Sequence, residues 1–135
     1  MSVQDALDAM AAQVGEALNV PAYGYVPLEV TMKPAAVAYL NDVTYNRTSR
    51  NALTEIEATL AMVIGRESEE HSWKLAHSYA EPSGDTSVKA AVESDRTLDG
   101  HARDCRVESA QSFAFPENGK TPVLFLAFTV RIFIS

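Results

Sequence analysis

The sequence predicts a mixed α/β (α+β) fold, a mainly antiparallel sheet with two to three helices packed on it. Three observations predict it. Apolar residues recur at the helical period from Val3 to Leu18, several later stretches alternate at the period of a strand, and an Asn-Gly pair separates two strongly apolar runs near the end.

Val3, Leu7, Met10, Val14 and Leu18, widened by Ala6, Ala11 and Ala17, form one helical stripe. Ser2 is placed to cap it, with Asp5 three residues on and Asp8 near the positive end of the dipole. Pro21 ends it, because the residue before a proline is pushed toward an extended backbone. Residues 22–33, with Gly24 and Pro27, read as a connector with short extended pieces. Pro34 opens a short strand, Ala35 to Leu40. Asn41 to Asn51 is polar and rich in turn formers, which predicts a long exposed loop.

Residues 52–64 fit both periods. Ile56, Ala58, Leu60, Met62 and Ile64 make the longer match, with Glu55, Glu57 and Thr59 on the opposite face, so a strand ended by Gly65 is expected. Ser68, followed by Glu69 and Glu70, starts a second helix with Trp73, Ala76, Tyr79 and Ala80 on its apolar side, and Pro82-Ser83-Gly84 breaks it. Asp85 or Thr86 caps a short helix through Val88, Ala91 and Val92. After Asp99-Gly100 a half-exposed strand alternates Arg103, Cys105, Val107 and Ser109 with Ala102, Asp104, Arg106 and Glu108. Phe113 to Phe115 and Thr121 to Ile134 then flank Asn118-Gly119 as a hairpin. Both faces of the last strand are apolar, which predicts a central position covered on both sides.

Composition narrows the function. With 135 residues, 47% of them apolar, the chain suits one domain spanning 1–135 and one core. A single cysteine excludes an internal disulfide framework and suits a reducing cytoplasm. The acidic start lacks the features of a signal peptide, and the most apolar run, Val123 to Ile134, is too short to span a bilayer as a helix. Eighteen acidic against eleven basic residues leave a net charge of −7, the wrong sign for gripping nucleic acid through its phosphates.

Catalytic chemistry has little foothold. His71 and His77 are six apart on a helix and so face different ways. His101 and Cys105, four apart on a strand, stand about 13 Å from each other by strand rise, too far for an activated thiol pair. There is no Gly-x-Ser-x-Gly, no phosphate-binding glycine loop and no Cys-x-x-Cys. No metal and no cofactor is called for. Tyr45, Arg47 and Arg50 read either as part of a solvated loop or as interface anchors, because Tyr and Arg are residue types that anchor protein interfaces. Glu55 and Glu57 on the exposed strand face are candidate carboxylates for arginines of a neighbouring copy.

The run Tyr79-Ala80-Glu81-Pro82-Ser83-Gly84-Asp85-Thr86-Ser87-Val88-Lys89-Ala90-Ala91-Val92, followed by Asp95-Arg96-Thr97-Leu98-Asp99-Gly100, resembles a pattern of tail terminator (tail completion) proteins of long, non-contractile-tailed phages. That pattern is Ser-Gly, Ser-Val or Ser-Ile, two small residues, then Thr-Leu-Gly-Gly; Asp99 stands where it often has glycine. The resemblance implies a subunit of a hexameric ring on the head-proximal end of the tail tube. Such a ring stops tube polymerisation and presents a docking surface to head-completion and connector proteins. It also implies a place in the virion, after assembly in the host cytoplasm, and no catalytic role. Leu98 is then the apolar plug tying its turn to the core, with Gly100 letting the next strand start close by. Six copies at −7 each carry −42, which repels the DNA that passes through the lumen without being bound. A head-to-tail stopper or adaptor of the same virion is the nearest alternative, and a small cytoplasmic enzyme or ligand-binding domain the alternative from another class.

Overall fold

The structure, a computed structural model, describes residues 2–28, 30, 32–45, 54–115 and 122–134. Its elements run α1 (Val3–Leu18), β1 (Ala22–Tyr23), β2 (Ala35–Thr44), β3 (Thr54–Arg66), α2 (Glu70–Tyr79), α3 (Val88–Glu93), β4 (Asp104–Phe115) and β5 (Val123–Ile134). The strands form one sheet in the order β1-β2-β3-β5-β4, antiparallel throughout except for the β1–β2 pair. The mixed α+β class expected from the sequence is the class observed.

The helices share one face of the sheet. α1 begins where Ser2 Oγ accepts the Asp5 N–H at 3.2 Å, and it ends through a left-handed Asn19, with the Val20 N–H bonded to the Gly15 carbonyl at 3.0 Å. Its buried stripe is Ala6, Leu7, Met10, Ala11 and Val14. It packs with Ala76 and Tyr79 of α2 and Val88, Ala91 and Val92 of α3 into one core. The sheet contributes Ile56, Ala58, Leu60 and Met62 from β3 and Leu124, Leu126, Phe128, Val130, Ile132 and Ile134 from β5. Each of the larger side chains contributes about 1.5–3 kcal/mol by leaving water, so β5 alone supplies a large part of the hydrophobic drive.

Several sequence expectations are corrected. β2 does not stop at Leu40 but runs to Thr44, carrying a bulge at Asn41, because β3 offers it a partner as far as Glu55. The polar loop therefore loses its first four residues to a strand. β3 passes through Gly65 instead of ending there; a register shift between Val63 and Gly65 marks a second bulge. A Cβ on Gly65 would stand 2.8 Å from Ser72 Oγ, so this glycine serves the close approach of α2. The α2 N-cap is Glu69, not Ser68, and makes no side-chain capping bond. Its buried side is Ser72, Ala76 and Tyr79. Trp73 stays 36% exposed and is anchored by Nε1 donating to the Glu67 carbonyl at 2.8 Å.

Ser87, not Asp85 or Thr86, caps α3 by accepting the Ala90 N–H at 3.0 Å. The two strand pieces expected at 102–109 and 113–115 are one strand, β4, kept continuous by a bulge between Val107 and Ser109. The hairpin with β5 is present, and its turn, with Asn118 and Gly119, lies outside the described residues. β5 is interior, with helices on one side only; Phe125, Ala127, Thr129, Arg131 and Phe133 on its other face are half-buried.

Candidate functional site

The face of the sheet away from the helices has two chemically distinct ends. The register sets Val37, Ala61 and Ala127 level with Gln111, and Ala35, Val63 and Phe125 level with Phe113. Val37, Val63 and Val123 are buried there in a small cluster of their own, with Tyr23, Val30, Tyr39 and Phe125 packed against it. Phe113 and Phe125 stack with centroids 5.1 Å apart and planes 6° from parallel. The segment carrying Val26, Pro27 and Val30 crosses this end and leaves an apolar groove of about 160 Å³. Val26 and Phe113, which line it, are themselves exposed, apolar surface of the kind that marks contact sites on soluble domains.

The other end is charged. Arg131 of β5 sits among three carboxylates: Nη1 is 3.2 Å from Glu55, Nη2 is 3.7 Å from Glu57, and Nε donates to Glu108 at 3.0 Å. Arg106, opposite Arg131 across the strands, reaches Glu108 at 3.6 Å and lies 5.9 Å above the Phe133 ring. The hydrogen bond that Arg131 donates to Glu108, with the charges of Glu108, Glu55 and Glu57, raises the Arg131 guanidinium above its ordinary range, outweighing the opposing effect of desolvation.

Beside this face, the residues singled out from the sequence are distributed as follows. Tyr45 is exposed immediately after β2. Arg47 and Arg50 lie outside the described residues. Glu55 and Glu57 share the open face as expected, yet they are already engaged by Arg131, a residue whose partners the sequence did not disclose because they are remote along the chain. Leu98 is fully buried in the helix-side core. It has φ 48°, Asp99 has φ 58° and Gly100 has φ 84°, three consecutive left-handed residues. Nothing stands within 4 Å of a Cβ built on Gly100, so φ, and not close approach, is the demand at that position.

Asp95 organises this turn. Its carboxylate accepts the Thr97 hydroxyl at 2.6 Å and the N–H groups of Thr97 and Asp99 at 3.0 Å each, bonds that hold it below the usual carboxylate range. Cys105 is buried, and burial pushes its thiol up to about 12, so it is a structural side chain and not a nucleophile in the folded chain. Phe113 and Phe115 are exposed, 41% and 62%, on the β4 edge strand. Their shared parity on one strand was visible, but nothing local tells which face of a sheet the helices leave open.

No protein-family model matches the chain, and no curated protein matches it in sequence. No helix among the described residues is long and apolar enough to cross a membrane.

Proposed function

We propose that this protein is a tail terminator subunit: a structural, non-catalytic virion protein that assembles as a hexameric ring on the head-proximal end of a phage tail tube. There it stops tube growth and offers the surface on which the head connector docks, with DNA passing through the lumen. The observation that carries the reading is the turn at residues 97–100. In the terminator-like pattern Thr-Leu-Gly-Gly the last two positions are glycine, and here both corresponding residues, Asp99 and Gly100, have positive φ. Glycine is the residue type such a backbone favours, and Asp is among the few others that tolerate it, so the one departure from the pattern is a conformationally equivalent replacement.

The open face supports the same reading from the side of energetics. An exposed apolar surface with an aromatic stack, next to a charged cluster, suits a subunit that buries surface against other proteins. The test is tube capping in vitro. Purified protein added to polymerising tail tube subunits is expected to shorten the tubes and appear as a density at one end in electron micrographs. Tubes of unchanged length with bare ends would overturn the proposal.

A further inference from the structure

Among the described residues two strand edges of the sheet are uncovered, and they are of matching length. β4 is an edge strand whose start is guarded: Arg96 Nε donates to the Cys105 carbonyl at 3.1 Å, and the Val107 N–H donates to Glu93 Oε2 at 2.9 Å. From Ser109 to Phe115 no strand lies beside it among the described residues. That stretch, Ser-Ala-Gln-Ser-Phe-Ala-Phe, has no charge, no proline and no glycine. It carries none of the devices by which edge strands discourage pairing. At the far side of the sheet β1 covers β2 only at Ala36 and Val37, so that no strand lies beside the outer side of Ala38–Thr44 among the described residues.

We propose that the occupant of the β4 edge is the β2 edge of a second copy of this chain, added as an antiparallel strand; the inference rests on the ring reading above. Strand polarity favours it. The four long strands alternate in direction in the order β2, β3, β5, β4, so a copy placed head to tail beside β4 presents β2 in the antiparallel sense without being inverted. The faces agree as well. If the Asn41 bulge is kept, Asp42 and Tyr39 of one copy meet Gln111 and Phe113 of the next, all on the open face, and half-exposed Leu40 meets Ser112 on the helix side.

No like charges are opposed along this seam, and Tyr39 against Phe113 is a cross-strand aromatic pair. The two free edges lie at opposite ends of the sheet, so the pairing staggers neighbours by four to five residues, about 15 Å, and tilts the strands as closed sheets require. A contact of this kind joins different patches on the two copies, which builds a ring when the rotation closes.

The experiment is cross-linking of the full chain carrying Gln111→Cys and Asp42→Cys, with a short bis-maleimide; the native Cys105 is buried and does not compete. The double variant is expected to give a ladder of covalent species beyond the dimer, and each single variant none. A dimer from Gln111→Cys alone would show two-fold β4–β4 pairing and overturn the proposal, as would absence of cross-links in the double variant, whether it sediments as an oligomer or a monomer. An independent check is Gln111→Lys with Ser112→Lys, which guards the edge. It is expected to leave circular dichroism unchanged and to raise the concentration needed for assembly roughly ten-fold; unchanged assembly would contradict the seam. A ladder in a protein that fails to cap tubes keeps the seam and discards the terminator function. Capped tubes without the ladder do the reverse.

Discussion

Replacing Leu98 separates two demands that the structure places on one residue. Its side chain is fully buried in the core, and its backbone is left-handed at φ 48°. The turn around it is held by the Leu98 N–H donating to the Asp95 carbonyl at 3.1 Å and the His101 N–H donating to the Leu98 carbonyl at 3.1 Å. Leu98→Ala removes a buried isopropyl group and leaves a void, a loss of about 3 kcal/mol. For a chain of this length that lowers Tm by about 10 °C.

Leu98→Gly removes slightly more apolar surface but relieves the left-handed backbone, which costs about 1–2 kcal/mol for an L-residue. In an ordinary helix or strand the glycine variant would be the weaker by about 1 kcal/mol. Here it is expected to melt at or above the alanine variant. Differential scanning calorimetry of the three proteins decides the matter. A Leu98→Ala protein melting within a degree or two of the parent would refute the plug. A glycine variant several degrees below the alanine variant would refute the left-handed backbone.

Three further outcomes are expected. Burial pushes the Glu93 carboxyl up, but its hydrogen bonds with Lys89 and the Val107 N–H and the charges of Lys89 and Arg96 outweigh this and hold it below its ordinary 4.5. A carboxyl lowered by folding stabilises above its unfolded value and stops doing so as pH falls through its folded one. Glu93→Gln is therefore expected to lose no more than about 1 kcal/mol in urea unfolding at neutral pH, with the difference closing as the pH falls below the ordinary carboxylate range, and an equal loss in acid and at neutral pH would contradict the assignment. Cys105 is expected to resist maleimide in the native protein and to react fully in concentrated urea; fast native labelling would show that the core around Val92 and Ile132 opens. Arg131→Gln leaves Glu55, Glu57 and Glu108 facing one another, so its Tm is expected to fall most at low ionic strength and to recover in concentrated salt, and a salt-independent deficit would mean that packing, not charge, was lost.

The parts of the fold legible in the sequence were those whose signal is local. α1 was readable because sixteen residues keep one helical period between a serine cap and a proline. β3 was readable because Ile56 to Ile64 alternate over more positions than any helical stripe matches. What escaped depends on partners far along the chain. Asn41 to Thr44 are turn formers by type, yet β3 pairs with them through Glu57, Ile56 and Glu55, and a ladder overrides a weak local preference. Trp73 looked like core by its type, but its indole N–H found the Glu67 carbonyl at the rim instead.

The candidate surface was only half visible for the same reason. Glu55 and Glu57 announced an exposed face, whereas Arg131 and Glu108, which engage that face, lie on strands distant in sequence. The apolar end became apparent only once the helices were seen to occupy a single side of the sheet. Leu98 and Gly100 were legible as a turn. That Leu98 and Asp99 share the left-handed backbone of Gly100 was not, since neither residue type requires it.

The claim that this chain caps a tail tube is tested most directly in the particle. Electron microscopy of lysates from a phage lacking only this gene product is expected to show filled heads separate from tails, and tubes of abnormal or uncontrolled length. Heads joined to tails of normal length in its absence would contradict the account.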